Sequence, residues 1–523
     1  MSLSRRALLG TLAVLPMTRL AHGAAVHRLT LLHMNDFHSR HEPVDGAALG
    51  CVAGKPGCFG GSPHLATALA QARAAAAADR RAVMLLDAGD QFQGSLFYTA
   101  WHGEVELAVM HALGTEAMAV GNHEFDNGPA TLAGFVRGAR FPVLSANVDA
   151  SDDPDLRGLL RPYAIIEKDG LRIGVVGLTT PEALVGSSPG PHVRIGDPAA
   201  ALAAAAAAAR ADGARFVIAL SHLGVGADRT LAGQVAGVDV IVGGHSHTLL
   251  SDSEPGAAGP AHAAISGPAG RSLVLQAGCF GRYLGRLDLD IGADGALLAF
   301  AGDVRHVGLD LPEDPAVAAI VASYSARLGA VRRQVVGHAE TALPTDGCRT
   351  GECALGDIVA EAMLGSTHGA DVALMNAGGI RTGLPAGDVT LGDVMTALPF
   401  GNTVATLTLT GADLRAALEN GISRTGKGGF PQVAGIRLAY NPGRLGAVEL
   451  RRPDGTYAPL DPARRYLVVT NDFVRNGGDG YGVMKSAAID PYDAGPGLDV
   501  VVSRALNAAS PLRARTDGRI RAE

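Results

Sequence analysis

The stretch Ala117-Met118-Ala119-Val120-Gly121-Asn122-His123-Glu124-Phe125-Asp126-Asn127-Gly128 sets the reading of the whole chain. A short apolar run stops at a glycine, and an amide, an imidazole and two carboxylates follow at once. Residues just past the C-terminal end of a strand in an α/β sheet face the crevice where ligands bind. This junction is therefore predicted to aim metal-binding side chains into a cavity. The same arrangement recurs at Asp36-Phe37-His38 after the run 29–33, at Gly89-Asp90 after 83–87, at Ser221-His222 after 216–220, and at Gly243-Gly244-His245-Ser246-His247 after 238–242. One such junction is weak evidence, because a lone histidine after a strand is more often a satisfied structural residue. Five of them, each closing an apolar run, are hard to obtain by chance.

Those runs, with others at 141–145 and 171–176, are almost wholly apolar, as strands covered on both faces are. Ala-rich stretches such as 199–210 lie between them and favour helix without saying anything about chemistry. The pattern predicts a layered α/β domain over 24–305. A polar entry near 311–315 opens a continuous helical stretch from 316 to about 333, predicted as an interdomain helix within a linker at 306–335. A second α/β pattern follows over 336–523, with strands expected at 372–375, 404–409, 435–440 and 466–470. Two domains also suit 523 residues of which 47% are hydrophobic and 18% charged, too long for one ordinary core and too apolar for disorder. The formal charge of -7 and the lack of any basic run exclude a nucleic-acid polymer as partner. An anionic small-molecule substrate then requires local positive charge, from metals or selected arginines.

The first residues carry Arg5-Arg6, an apolar stretch through Met17 and a small-x-small site at Ala21-His22-Gly23. This reads as a signal peptide of twin-arginine type over 1–23, too short to span a bilayer, for which about 20 apolar residues are needed. A periplasmic or secreted protein without a membrane span is expected, monomeric by default. Four of the 5 cysteines form two close pairs, Cys51 with Cys58 and Cys348 with Cys353. Disulfides are the favoured reading in that compartment. A zinc site is the competing one, disfavoured because the spacings are not CxxC and no histidine completes either pair. Cys279 is left over and is expected as a buried free thiol.

Taken in order, the D-x-H, G-D, G-N-H-E, H and G-H-x-H blocks resemble those of the calcineurin-like metallophosphoesterases. The extended Gly121 to Gly128 block and the second half resemble the 5'-nucleotidase and UDP-sugar hydrolase family. The resemblance covers about residues 28–490. It implies a four-layer αββα metallophosphoesterase domain followed by a smaller α/β substrate-binding domain, with a hinge rotation between them. It also implies one divalent ion on Asp36, His38 and His247 and another on Asn122, His222 and His245, with Asp90 shared. Such donors suit Zn, Mn or Co. Many members carry an amide where His247 stands. His123 and Asp126 match the family's catalytic dyad, with Asp126 orienting an imidazole that stabilises developing charge or protonates the leaving oxygen. Glu124 is expected in a structural role.

In the second half, Asn376-Ala377-Gly378-Gly379-Ile380-Arg381 follows a predicted strand, with glycines that admit a ligand close to the backbone and an Arg suited to phosphate or carboxylate. Phe400, near Asn402, and Phe473, near Asp479, lie in glycine-rich loops and could sandwich a nucleobase; an isolated Phe would otherwise be assigned to a core. By resemblance these two phenylalanines are the base-stacking pair, Asp479 binds ribose hydroxyls, and Arg349, Asn376 and Arg381 bind substrate. The expected activity is release of phosphate from nucleoside 5'-phosphates, extending to UDP-sugars and nucleoside di- and triphosphates. Alternatives are a 2',3'-cyclic-nucleotide phosphodiesterase with 3'-nucleotidase activity, a branch that commonly has Asn at the position of Asp126, a thiosulfohydrolase, and a noncatalytic nucleoside-binding surface protein.

Overall fold

A computed structural model describes residues 26–44, 51, 57–267, 270–441 and 443–523. The signal-peptide reading of 1–23 lies outside the described residues. In the first half, two six-stranded sheets stack face to face. One runs in the order Leu297–His306, Tyr283–Gly292, Val26–Met34, Ala82–Asp87, Ala117–Ala119, Val143–Leu144; the other runs Ala263–Gly267, Gly270–Leu275, Val240–Gly243, Phe216–His222, Leu171–Thr179, Tyr163–Lys168.

Strand periodicity explains the layering. Along Val26–Met34, Leu29 and Leu31 pack between the sheets with Ile173, Val175 and Leu220, whereas Leu32 and Met34 face the helix Ser62–Ala78 through Leu65 and Leu69. The second sheet buries Val176, Val217 and Ile241 outward against Leu202 of the helix Pro198–Ala211 and Leu231 of Val225–Gln234. Alternate residues thus serve opposite faces, and the result is the αββα sandwich. The central strands are parallel, Leu31 pairing with Met84 and Gly243 with Ser221, so their C-terminal ends open on one edge.

Two features differ from the sequence reading. The hairpin of Tyr283–Gly292 and Leu297–His306 adds an antiparallel edge to the first sheet. The linker is not one continuous helix over 316–333: helices Pro315–Ser325 and Leu328–Arg332 are separate. At the break, Arg327 N bonds to Tyr324 O at 2.9 Å, a tighter turn that interrupts the α-helical ladder. Arg327 stacks over Trp101 at 5.2 Å and fixes the chain on the first domain.

In the second half a five-stranded sheet runs Pro431–Ala434, Val372–Asn376, Arg465–Asn471, Val404–Thr410, Ile489–Tyr492. Val372 and Leu374 face Leu414 and Leu418 of the helix Gly411–Ser423. Ala373 and Met375 face Val359 of Ala354–Gly365 and Val502 of Leu498–Ala509. Both cysteine pairs are disulfides, with Cα–Cα distances of 6.0 Å for Cys51–Cys58 and 4.9 Å for Cys348–Cys353; Cys279 is free as expected but only half-buried. Among the described residues no helix is long and apolar enough to cross a membrane.

Candidate metal centre and nucleotide cavity

The loops after the parallel strands are locked together by their backbones. Asp36 N donates to Gly89 O at 2.9 Å, His38 N to Asp90 O at 3.0 Å and Ser39 N to Gln91 O at 2.9 Å. Asp36, His38, Asp90, His245 and His247 all adopt left-handed backbone, with φ of 50°, 52°, 57°, 71° and 52°. Non-glycine residues at positive φ are costly and tend to gather where function requires a set geometry. The glycines of the motifs make room for this packing. A Cβ on Gly121 would lie 2.2 Å from Asp90 Oδ1, and one on Gly244 would lie 2.9 Å from His222 Nδ1.

The seven candidate ligands converge. Ligand atoms of Asp36, His38 and His247 lie within 4.8 Å of one another, as do those of Asp90, His222 and His245. His38 Nε2 and His247 Nε2 face each other at 3.0 Å, and His245 Nδ1 lies 3.0 Å from Asn122 Oδ1. Asp90 stands between the groups, 3.8 Å from His38 Nε2 and 3.0 Å from His222 Nε2. Although 3.0 Å apart, Asp90 Oδ2 and His222 Nε2 are not aligned for a hydrogen bond to each other and find no other partner, an arrangement that a buried pair normally avoids unless a further group takes those lone pairs. Ring orientation agrees: His38 Nδ1 meets Phe92 O at 3.2 Å and His222 Nδ1 meets Ala88 O at 2.6 Å, which leaves each Nε2 free to ligate. The donor set fits two divalent ions. Burial opposes the charge on Asp90, but His222 and His123 hold its carboxyl well below the usual range.

His123 and Asp126 form a buried pair, Nδ1 to Oδ2 at 2.7 Å. Burial disfavours the imidazolium, yet Asp126 and Asp90 overcome it and lift the His123 pKa to about 10. Glu124 does not face the cavity as an acid. It accepts backbone N–H bonds from Gly121, Asp90, Gln91 and Phe92 at 2.7–3.2 Å and ties two motif loops together.

Several residues on this cavity escape sequence reading. Glu182 lies 2.8 Å from His245 Nε2. From the second domain, Tyr492 accepts from Asn122 Nδ2 at 2.6 Å, its hydroxyl lies 3.3 Å from His123 Nε2, and its ring stacks on His245 at 5.0 Å and 19°. Ala494 O accepts from His123 Nε2 in a short contact. The strand end that carries Tyr492 has no sequence feature that marks it, because its role exists only through contact with the other domain.

The second domain holds a cavity of about 830 Å³ lined by Arg349, Asn376, Gly378, Gly379, Arg381, Phe400, Asn402, Phe473 and Asp479, so the whole substrate set falls on one surface. Phe400 and Phe473 are 40% and 45% exposed, which rules out the core reading for both. Arg381 lies over the Phe400 ring at 5.6 Å, and Asn376 Nδ2 donates to Asp479 Oδ2 at 2.8 Å. Arg349 is fixed by the Cys348–Cys353 loop. Gln432 Nε2 donates to Cys348 O at 2.8 Å and Gly351 O at 2.7 Å, and Gly426 N donates to Arg349 O at 2.7 Å. The metal-side cavity, about 570 Å³, adjoins this one through Asp472 and Asn476, which line both.

Residues 29–249 match the calcineurin-like phosphoesterase family model, and 335–486 match that of the 5'-nucleotidase C-terminal domain. A 5'-nucleotidase of Bos taurus is 34% identical over 94% of this chain and 90% of its own length. A trifunctional nucleotide phosphoesterase of Bacillus subtilis is 34% identical over 77% of this chain, which spans only 30% of that longer protein. The solved NAD nucleotidase of Haemophilus influenzae superposes with a TM-score of 0.84 at 26% identity, over 95% of this chain and all (100%) of that one.

Proposed function

Since the chain belongs to the 5'-nucleotidase family, we propose that it releases phosphate from nucleoside 5'-phosphates outside the cytoplasm, and that it also accepts nucleoside di- and triphosphates and UDP-sugars. The observation that carries this reading is adjacency: a cavity with two exposed phenylalanines meets a cavity lined by metal-type ligands. Export is supported by the Arg5-Arg6 pair with the apolar stretch that follows it, read as a leader, and by the two disulfides.

Asp36, His38 and His247 would hold one divalent ion and Asn122, His222 and His245 the other, with Asp90 shared. When bound, such ions supply a hydroxide nucleophile near neutral pH and neutralise phosphate charge. His123, kept protonated and oriented by Asp126, passes the Nε2 proton to the leaving oxygen as the P–O bond breaks. Phe400 and Phe473 stack the base, Asn376 orients Asp479 toward the ribose, and Arg349 and Arg381 counter the charge between base and metals.

A panel of AMP, ATP, UDP-glucose, 2',3'-cyclic AMP, 3'-AMP and thiosulfate, assayed with and without chelator, tests the reading. Phosphate release should be chelator-sensitive and greatest on 5'-nucleotides. Faster turnover of the cyclic substrate would move the chain to the cyclic-phosphodiesterase branch, and no release from AMP by Mn-, Zn- or Co-loaded protein would leave a nucleoside-binding protein instead.

The stacking role is tested separately. Loss of one aromatic contact costs about 1–3 kcal/mol per base. Phe400→Ala and Phe473→Ala should therefore each raise KM for AMP by roughly tenfold while sparing p-nitrophenyl phosphate. Equal losses on both substrates would assign the rings to packing.

A further inference from the structure

We propose that Arg40 and Gln93 form a phosphoryl-binding pair on the metal domain, holding phosphate oxygens that the ions leave free. The inference deepens the phosphoesterase reading above and rests on it.

Two backbone segments carry the pair. Residues 38–39 bond to 90–91 through His38 N to Asp90 O and Ser39 N to Gln91 O. Just beyond these bonds, Arg40 and Gln93 both turn into the cavity lined by His38, His245 and His247. Gln93 is 2% exposed, yet neither its Nε2 nor its Oε1 has a hydrogen-bond partner. Its backbone is held at φ 66°, and a Cβ on the following Gly94 would lie 2.6 Å from His38 O, so the segment is pressed against the ligand loop. Buried amides are almost always hydrogen-bonded. One that is orphaned in a left-handed conformation on the wall of a reaction cavity points to a ligand.

Arg40 is the matching cation. Its Nε is buried without a partner, and its guanidinium lies over the Phe280 ring at 5.3 Å. That same ring is 5.7 Å from His38 and 5.4 Å from His247, which puts the charge beside the metal ligands. An arginine guanidinium stays protonated in proteins, so the group is cationic at neutral pH. Other charged side chains on this cavity are engaged. Glu182 meets His245, Asp493 pairs with Arg475 and Asp472 accepts from Thr403 N. A guanidinium donates in a fork matched to phosphoryl oxygens, and a carboxamide offers both a donor and an acceptor. Nothing in the 5'-nucleotide reading of Phe400, Phe473 and the second-domain arginines uses either residue. The ligand chemistry is a phosphoryl oxyanion, either the scissile group or its neighbour in a di- or triphosphate.

The test uses the full metal-loaded chain carrying Arg40→Met, Arg40→Lys or Gln93→Leu, assayed on p-nitrophenyl phosphate, AMP, ADP and ATP and for inhibition by inorganic phosphate. Arg40→Met should raise KM roughly 10- to 100-fold, the usual effect of losing a charged hydrogen bond, with kcat within about threefold and metal content unchanged; Arg40→Lys should recover part of the loss. Gln93→Leu should weaken phosphate inhibition while leaving the melting temperature equal or higher, because replacing an unpaired buried amide by an isostere relieves desolvation. A purely structural role would lower the melting temperature instead and would overturn the assignment. Losses on every substrate and on inorganic phosphate identify the scissile group; losses confined to ADP and ATP identify the neighbouring phosphate. KM and inhibition within twofold of wild type in both Arg40→Met and Gln93→Leu overturn the proposal. Wild-type protein that hydrolyses none of these esters overturns the phosphoesterase reading itself.

Discussion

His123→Ala will lower kcat on AMP by about 10³-fold, within the range of roughly 10² to 10⁴ for a positioned general acid, while the purified variant keeps its full complement of divalent metal. The reasoning starts from the dyad. Asp126, 2.7 Å from His123 Nδ1, leaves Nε2 as the one ring nitrogen available to the cavity, and the pKa of about 10 keeps a proton there through neutral pH. Removing the ring takes away the proton for the leaving oxygen but none of the seven proposed ligands. His123 also lies within ligand distance of His38 and Asp90, so metal analysis decides between two roles. Metal lost together with activity would make His123 a ligand. Substrates with good leaving groups sharpen the test: p-nitrophenyl phosphate, which needs little protonation to depart, should lose much less than AMP.

Asp90→Ala will be the more damaging change, because it removes the group shared by both ligand sets. We expect loss of both metals on elemental analysis and a fall in activity of at least about 10³-fold that excess Mn, Zn or Co does not restore. Asp90 is wholly buried. Its Oδ1 also accepts from His123 N at 3.0 Å, so its loss would misplace the proton donor as well. Removing one member of a buried charged cluster leaves its partners uncompensated, and His222 would then face an empty space. His247→Ala offers the contrast. Its side chain is 24% exposed at the rim, and added metal should recover much of the loss. Full metal occupancy in Asp90→Ala would refute the shared-ligand assignment.

Much of this site was legible because each motif is local. The apolar runs that end in Asp36, Asp90, Asn122, His222 and His245 are strands of the two stacked sheets, and their parallel pairing brings the blocks to one edge. Phe400 and Phe473 were recognisable from their glycine-rich surroundings, although Phe473 sits in the short helix Asp472–Arg475 rather than a loop. The hairpin at 283–306 was not separated from the rest, although 283–292 shows period-2 burial, because polar residues in its second strand blur the alternation. The linker helix reads as continuous since Ala-rich sequence says little about where a helix stops; the ladder is interrupted at Arg327, whose N bonds to Tyr324 O at 2.9 Å in a tighter turn. Arg40, Gln93, Glu182 and Tyr492 gain meaning only when distant segments meet, and no spacing rule registers that.

Tyr492 and Ala494, seated against Asn122, His245 and His123, act as a tethered ligand of the metal domain. An attached competitor has a local concentration fixed by the fold, and dilution does not reduce it. The apparent affinity of a phosphate ester at His123 would then be its intrinsic affinity scaled by the fraction of molecules in which this segment has withdrawn. A small ester has only its phosphate contacts with which to shift that balance. A nucleotide stacked on Phe400 and Phe473 would engage the domain that bears the segment as well, and a complex held at both ends would require the segment to leave His123. Discrimination in favour of nucleotides would then rest on a conformational equilibrium as well as on the pocket lined by the two rings.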